Sequence, residues 1–354
     1  MQMSKKTFYT FALVTLIGGL GAFIVWHWYT PKPHPNAQNT LGDLQHCKLY
    51  SGTPSEWPQD KQAGMVKIHG GEFQFGSTHG YPDEKPFGKT TVKGFWIDQT
   101  EVTNAQFQAF VKATGYVTEV EQEGGGAIFI TPTEKELTER PNAWWKYVKG
   151  ASWHTPEGLN STISTRLNEP VVLVTQRDAE TYAAWLGHEL PTEQEWEYAA
   201  KANVEEDDDF THADLEHHHD MHHQPEDAQG LPTANFWQGD FPLRNENTDH
   251  FAGRAPVGCF KPNPWGLYDM IGNVWEWTRD AYRGGHQPHG NGDPLASLKA
   301  EHTALFPQAQ MVVKGGSYLC AANYCSRYRA SARQPQEANL GTGHVGFRTV
   351  WHEP

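Results

Sequence analysis

Apolar positions along the chain follow three different periods. From Phe11 to Tyr29 the run "FALVTLIGGLGAFIVWHWY" contains no acidic residue, Lys or Arg. At about 1.5 Å per residue it is long enough to cross a hydrocarbon core of about 30 Å as a helix. "MVKIHGGEFQFGS" (Met65 to Ser77) instead alternates with the period of a strand and turns at Gly76, and Thr91 to Ile97 alternates again. Helical periodicity follows. Phe107, Phe110 and Val111 share one face of a segment that Thr103 and Gln106 open as a capping-box pair and Gly115 closes. A second face, Ala179, Tyr182, Ala183 and Leu186, predicts a helix starting at Asp178. In "LPTEQEWEYAAKA", Thr192 and Glu195 form another capping box, with Trp196, Ala199 and Ala200 inward. Beyond these helices the chain breaks into turns, short apolar pieces and Trp/Gly punctuation. The pattern predicts an α+β fold with much irregular structure. Its backbone polar groups need partners other than ladder bonds, and bound cations are one way to supply them.

Charge placement orients the first run. Lys5 and Lys6 precede it, so the positive-inside rule keeps the N-terminus in the cytoplasm and exports the rest. The run exceeds the roughly 7–15 residues of a cleaved signal's apolar region and ends in bulky "WHWYT" rather than a small-x-small site. It reads as an uncleaved anchor, with a cleaved secretory signal as the alternative. Residues 1–30 are therefore a cytoplasmic stub and transmembrane anchor, and 31–60 a Pro-rich spacer beginning "PKPHPNAQN". Residues 61–354 form one exported body, periplasmic or lumenal/extracellular. The 354 residues include 14 Trp, 13 Tyr, 34 Gly and 23 Pro, which suits a loop-rich fold around an aromatic core. A net charge of −14 argues against a nucleic-acid partner, whose phosphates it would repel.

Three groups of residues carry possible chemistry. The first is "KGGSYLCAANYCSRYRASAR", where four residues separate Cys320 from Cys325. Two thiols this close can form a small disulfide loop in an oxidising compartment, or a redox pair or soft-metal site for Cu(I) or zinc. The spacing leaves both open. Cys47 and Cys259 either bridge to each other or are unrelated thiols. The second group comprises Asn235, Asp249, Asp269 and Glu276, whose side-chain oxygens suit calcium but equally suit ordinary turns. The third is a His-rich insertion at 205–228. Within 207–227 it holds six His and eight acids, and it reads as a solvated flexible segment or a loose metal-binding tract. No Walker loop, HExxH or GxSxG motif is present.

Several segments, in order, resemble the sulfatase-modifying factor family over about residues 62–351. They include "GGEFQFGS", "GFWIDQTEVTNAQF", "WWKYVKGASWHTPEG", "LPTEQEWEYAAKA", "ANFWQGDFP", "GLYDMIGNVWEWT", "VVKGGSYLC" and "HVGFR". The resemblance implies a variant of the C-type-lectin-like fold. Cys320 followed by Tyr324, Cys325, Arg327, Tyr328 and Arg329 resembles the two-cysteine pattern of formylglycine-generating enzymes, which silent paralogues lack. It implies a copper- and O2-dependent oxidase. Cys320 and Cys325 would hold Cu(I) as thiolates, with the cysteine of a Cys-x-Pro-x-Arg motif in an unfolded sulfatase as a third ligand. Loss of a Cβ hydrogen and hydrolysis of a thioaldehyde would leave an aldehyde. Ser317 is expected at the oxygen pocket and Trp275 as its wall. The resemblance also implies two structural calcium sites. One takes Asn235, the Phe236 carbonyl, Asp249 and the Phe251 carbonyl. The other takes Asp269, the carbonyls of Gly272 and Val274, and Glu276. Two other functions fit the same fold, a non-catalytic sulfatase-binding paralogue and another oxygen-dependent exported tailoring enzyme. The chain departs from relatives at Gln176, where many have Trp, and in lacking cysteines near Ala330 and Thr349.

Overall fold

Capping residues place the helices of the computed structural model, which describes residues 41–78, 80–140, 142–204, 224–284 and 309–354. The expected anchor, the first part of the spacer and residues 205–223 of the His-rich insertion lie outside the described residues. Among those described, no helix is long and apolar enough to cross a membrane. Six helices are α1 (Leu44–Leu49), α2 (Asn104–Thr114), α3 (Glu119–Glu123), α4 (Glu134–Glu139), α5 (Gln176–Leu186) and α6 (Glu193–Lys201). The expected boxes at Thr103/Gln106 and Thr192/Glu195 are both formed, and Gly115 closes α2 in the left-handed region at φ 69°. Helix α5 starts two residues earlier than expected. Thr175 is its N-cap and Asp178 its third residue, and their side chains exchange bonds with each other's backbone amides.

The strands are β1 (Met65–Ile68), β2 (Gly71–Phe75), β3 (Gly88–Val92), β4 (Phe95–Asp98), β5 (Gly125–Phe129) and β6 (Trp145–Lys149). They continue with β7 (Trp275–Ala281), β8 (Gln310–Lys314), β9 (Arg333–Glu337), β10 (Val345–Gly346) and β11 (Val350–Trp351). Each alternating run of the sequence is cut into two strands that join different sheets. β1, β4 and β11 form one sheet in the order β1-β4-β11, while β2 pairs with β3. The cut falls where backbones pass closely. A Cβ on Gly70 would lie 2.6 Å from the Val92 carbonyl and 2.7 Å from the Gly94 amide. The site is organised by a four-stranded sheet in the order β10-β7-β8-β9 and by the β5–β6 hairpin, which bridges to Thr342 through Ala127.

The expected spacer is folded from Leu41 onward, and Leu41–Pro354 forms one unit. Helix α1 carries Cys47, which is disulfide-bonded to Cys259 and buried with Ala255, so the segment before Trp57 belongs to the core. Elsewhere that core is aromatic, as composition indicates. Trp196, Trp275 and Trp277 are fully buried, and Phe107 stacks on Tyr182 at 5.9 Å between helices α2 and α5. Rings of this size bury about 150–250 Å² each, which compensates for short ladders.

Candidate active site

Both cysteines of the CxxxxC stretch lie in the connection between β8 and β9. Strand β8 ends at Lys314, which is fully buried and ion-paired with Glu197 at 2.8 Å. Gly315 and Gly316 then turn the chain at φ 91° and 84°, a region that L side chains rarely adopt. No side chain fits at either position. A Cβ at 315 would meet Trp196 at 2.9 Å, and one at 316 would collide with the Arg327 carbonyl. This turn delivers Ser317 and Cys320 to the base of a cleft of about 320 Å3. Trp275, at the head of β7, and Cys325 line the same cleft, so all four expected catalytic residues come together. Trp145 and Ala127 of the β5–β6 hairpin form one wall, and Gln334 and Gln336 of β9 another.

The two sulfurs lie 3.3 Å apart and are not bonded to each other. Cys320 is 2% exposed, while Cys325 is half-buried. Burial alone would push the Cys320 thiol up. Hydrogen bonds from the Cys325 thiol and the backbone amides of Ser317 and Arg327 outweigh it and hold Cys320 below the usual thiol value. The Ser317 amide lies 3.4 Å from that sulfur. Cys325 goes the opposite way. Its bond to Cys320, burial and repulsion from a Cys320 thiolate push it well up. The pair therefore holds one thiolate readily and a second only when a cation compensates the charge. Two soft sulfurs at the base of a cleft, one partly open to it, are a donor set that fits Cu(I).

The oxygen ligands expected for calcium are placed less uniformly. At the first set, the Phe236 carbonyl and an Asp249 carboxylate oxygen converge on one point, where the Gln238 side-chain amide donates to both. Asn235 is turned to Gly253 and Asn273, its amide donating at 2.9 and 3.1 Å. At the second set, Glu276 accepts from Trp196 Nε1 at 2.7 Å and from Arg348 Nε and Nη2, each at 2.7 Å. Asp269 accepts from the Gly258 amide at 2.6 Å. Among the described residues, no three His, Cys, Asp or Glu side chains form a metal-holding group on their own. The second set does, however, lie in a pocket of excess negative charge that the sequence does not reveal. Glu101 is fully buried there, and its Oε2 has no hydrogen-bond partner. Burial, with Glu276 nearby, lifts Asp269 to about 6 against the opposing Gly258 amide, Arg348 and Glu101, and burial and Asp269 lift Glu101 well above the usual carboxyl value. Three carboxyls thus face the single guanidinium of Arg348, a charge imbalance that a cation held with backbone carbonyls would relieve.

Sequence reasoning missed two other groups. Arg348 of the "GFR" segment is a core ion-pair partner, not only a mark of the fold. Asp83 and Glu84, some 240 positions before the cysteine stretch, hold its arginines by 3.2 Å contacts to Arg327. Spacing along the chain carries no signal for either.

Residues 50–353 match the family model described as the sulfatase-modifying factor enzyme 1-like domain. The formylglycine-generating enzyme of Mycobacterium tuberculosis is 42% identical over 306 residues, covering 81% of this chain and 97% of that protein. A Bos taurus protein named inactive C-alpha-formylglycine-generating enzyme 2 is 34% identical over 317 residues, covering 86% of this chain and 93% of the relative. Among solved structures, PvdO from Pseudomonas aeruginosa superposes with a TM-score of 0.52 at 21% identity, over 86% of this chain and 99% of that one. The last likeness speaks to the fold.

Proposed function

The chain belongs to the sulfatase-modifying factor enzyme 1-like family, and from that premise we propose that it is a formylglycine-generating oxidase. Its substrate is the cysteine of a Cys-x-Pro-x-Arg motif in unfolded sulfatases, which it converts to Cα-formylglycine with Cu(I) and O2. The observation that carries this reading is the free thiol pair, 3.3 Å apart at the base of the cleft. Cys320 and Cys325 would hold the metal. Bound copper supplies one-electron chemistry with O2, which no side chain in the cleft provides. The chain's own part is to position and exclude. Trp275 and Ser317 are 1% and 0% exposed, so the inner face of the cleft is built from side chains shielded from solvent, where a reactive intermediate would need protection from water. Cys325, the less buried of the two in the cleft lining, is the sulfur a substrate thiol would reach more readily.

Calcium at the two oxygen sets extends the proposal. Support is stronger at Asp269, Gly272, Val274 and Glu276, where the buried Glu101 Oε2 has no hydrogen-bond partner. At Asn235, Phe236, Asp249 and Phe251, the support is that two oxygens already aim at one point, from which the Gln238 amide would have to turn away. We also place this domain outside the cytoplasm on an N-terminal anchor. The Cys47–Cys259 disulfide supports an oxidising compartment.

The test is incubation of the copper-loaded protein with O2 and a Cys-x-Pro-x-Arg peptide. Loss of mass at the peptide cysteine with a new aldehyde is expected, and Cys320→Ser abolishes both while sparing peptide binding. If the copper-loaded protein leaves the peptide unchanged, the assignment falls. Peptide binding without conversion would then favour the non-catalytic sulfatase-binding reading, which the likeness to the inactive relative keeps in view. Neither binding nor conversion would favour another oxygen-dependent tailoring reaction.

A further inference from the structure

The loop that carries the thiol pair has little backbone structure of its own. Its internal bonds are short-range, from Cys320 N to the Ser317 carbonyl (2.9 Å), Cys325 N to Ala321 (3.0 Å) and Ala332 N to Arg329 (3.1 Å). Something else must fix Cys325 against Cys320. The segment after Cys325 is clamped from outside by a 3-10 turn at Pro82–Glu84. Arg327 lies 4.1 Å from the Tyr81 ring centre and forms a forked pair with Asp83, with both contacts at 3.2 Å. The same guanidinium contacts Glu84 Oε1 at 3.2 Å, and Arg329 pairs with the other oxygen, Glu84 Oε2. Tyr81 also reaches Ser326, oxygen to oxygen, at 3.3 Å. Glu84 is fully buried, whereas the arginine side chains are 16% and 15% exposed. One inaccessible carboxylate thus holds arginines two and four residues past Cys325. On the far side, the Arg327 carbonyl is packed against Gly316, one residue before Ser317. The clamp therefore bears on both ends of the loop.

We propose that Glu84 is a positioning residue for the thiol pair, acting through Arg327 and Arg329 to hold Cys325 beside Cys320. The inference rests on the copper-dithiolate reading of the site, but its test does not require turnover. Groups that orient metal ligands in this indirect way commonly change metal affinity by roughly 10- to 100-fold when removed.

The experiment compares the wild type with Glu84→Gln, which keeps the side-chain volume and removes the charge. Cu(I) affinity is measured by competition with a chromogenic chelator, and alkylation of Cys320 and Cys325 is followed separately by peptide mass spectrometry. Expected results are Cu(I) binding weakened roughly 10- to 100-fold and a faster reaction at Cys325 as the loop loosens, with the Cys47–Cys259 bond and near-UV dichroism unchanged. Asp83→Asn, which loosens the forked Arg327 pair and the Tyr282 contact but leaves Glu84 in place, serves where Glu84→Gln does not fold and should shift both readouts the same way by a smaller factor. A folded Glu84→Gln with wild-type Cu(I) affinity and alkylation rates overturns the proposal, as does an unaffected Asp83→Asn when the first variant is unfolded. A wild type that binds Cu(I) through both cysteines yet fails on the peptide refutes the oxidase reading and leaves the positioning role standing.

Discussion

Arg348 and Glu276 show what a single buried residue does in this protein. Arg348 gives three donors to Glu276 and the Tyr268 carbonyl at 2.7–2.9 Å, in a pocket that also holds Glu101 and Asp269. Removing it leaves three carboxyls with no counter-charge. Arg348→Met should cost about 3–5 kcal/mol in urea unfolding, and a loss below about 1 kcal/mol would contradict the charge balance described here. His344 makes a pH-dependent prediction. Burial lowers it from the usual 6.5 to about 3, so it is neutral in the folded state. Below pH 6.5 the unfolded chain takes up a proton that the folded chain refuses, so stability falls with pH through that window and is complete above it. A His344→Gln variant, retaining a polar group for Thr342, should gain on the wild type as pH drops from 6.5 toward 4. Parallel stability curves would show that His344 does not contribute. At this scale, Cys320, Cys325, Ser317 and Trp275 were legible because they lie in or beside distinctive local strings. Glu84, Glu101 and Gln238 were not, because their meaning comes from partners brought near by folding.

Elements were legible where their signal is local. A capping box spans four residues, so Thr103/Gln106 and Thr192/Glu195 are legible directly; Thr175/Asp178 uses Asp in place of the usual Glu or Gln, and the boxes at Thr118/Glu121 and Thr133/Glu136 open helices of only five and six residues, too short for an apolar period to mark. Thr175 links two elements. Its hydroxyl accepts from the Asp178 amide at 3.2 Å and donates to Glu119 of α3 at 2.8 Å. Thr175→Ala should cost about 1–2 kcal/mol. The urea midpoint should fall at constant slope, and an unchanged midpoint would mean that neither bond matters. The runs at Met65–Ser77 and Thr91–Ile97 do form strands, but each is broken in two at a place the sequence does not mark. Alternation reports the period of a strand but not where a neighbouring backbone forces a break, and the close pass of Gly70 on Val92 and Gly94 is a tertiary fact.

For the whole molecule, short ladders and an aromatic core leave loops to be fixed by charge and cross-links. If calcium occupies the Asp269–Glu276 pocket, chelation lowers Tm by several degrees, on the order of 5 °C, and Asp269→Asn removes most of the difference. A Tm indifferent to chelator would remove calcium from this account of the core. The disulfide has a consequence of a different kind, in time rather than in space. Four cysteines allow six single bridges, and the structure holds the one, Cys47–Cys259, that leaves Cys320 and Cys325 unbridged. During synthesis Cys47 emerges first and waits for a partner 212 residues behind it, roughly 10–40 s at ~5–20 residues per second. Cys259 is the next thiol to appear, and the cleft pair comes later still. In an oxidising compartment, that order of synthesis would let the structural bridge close before the cleft pair exists. A circular permutant that presents Cys320 and Cys325 first would lose that protection.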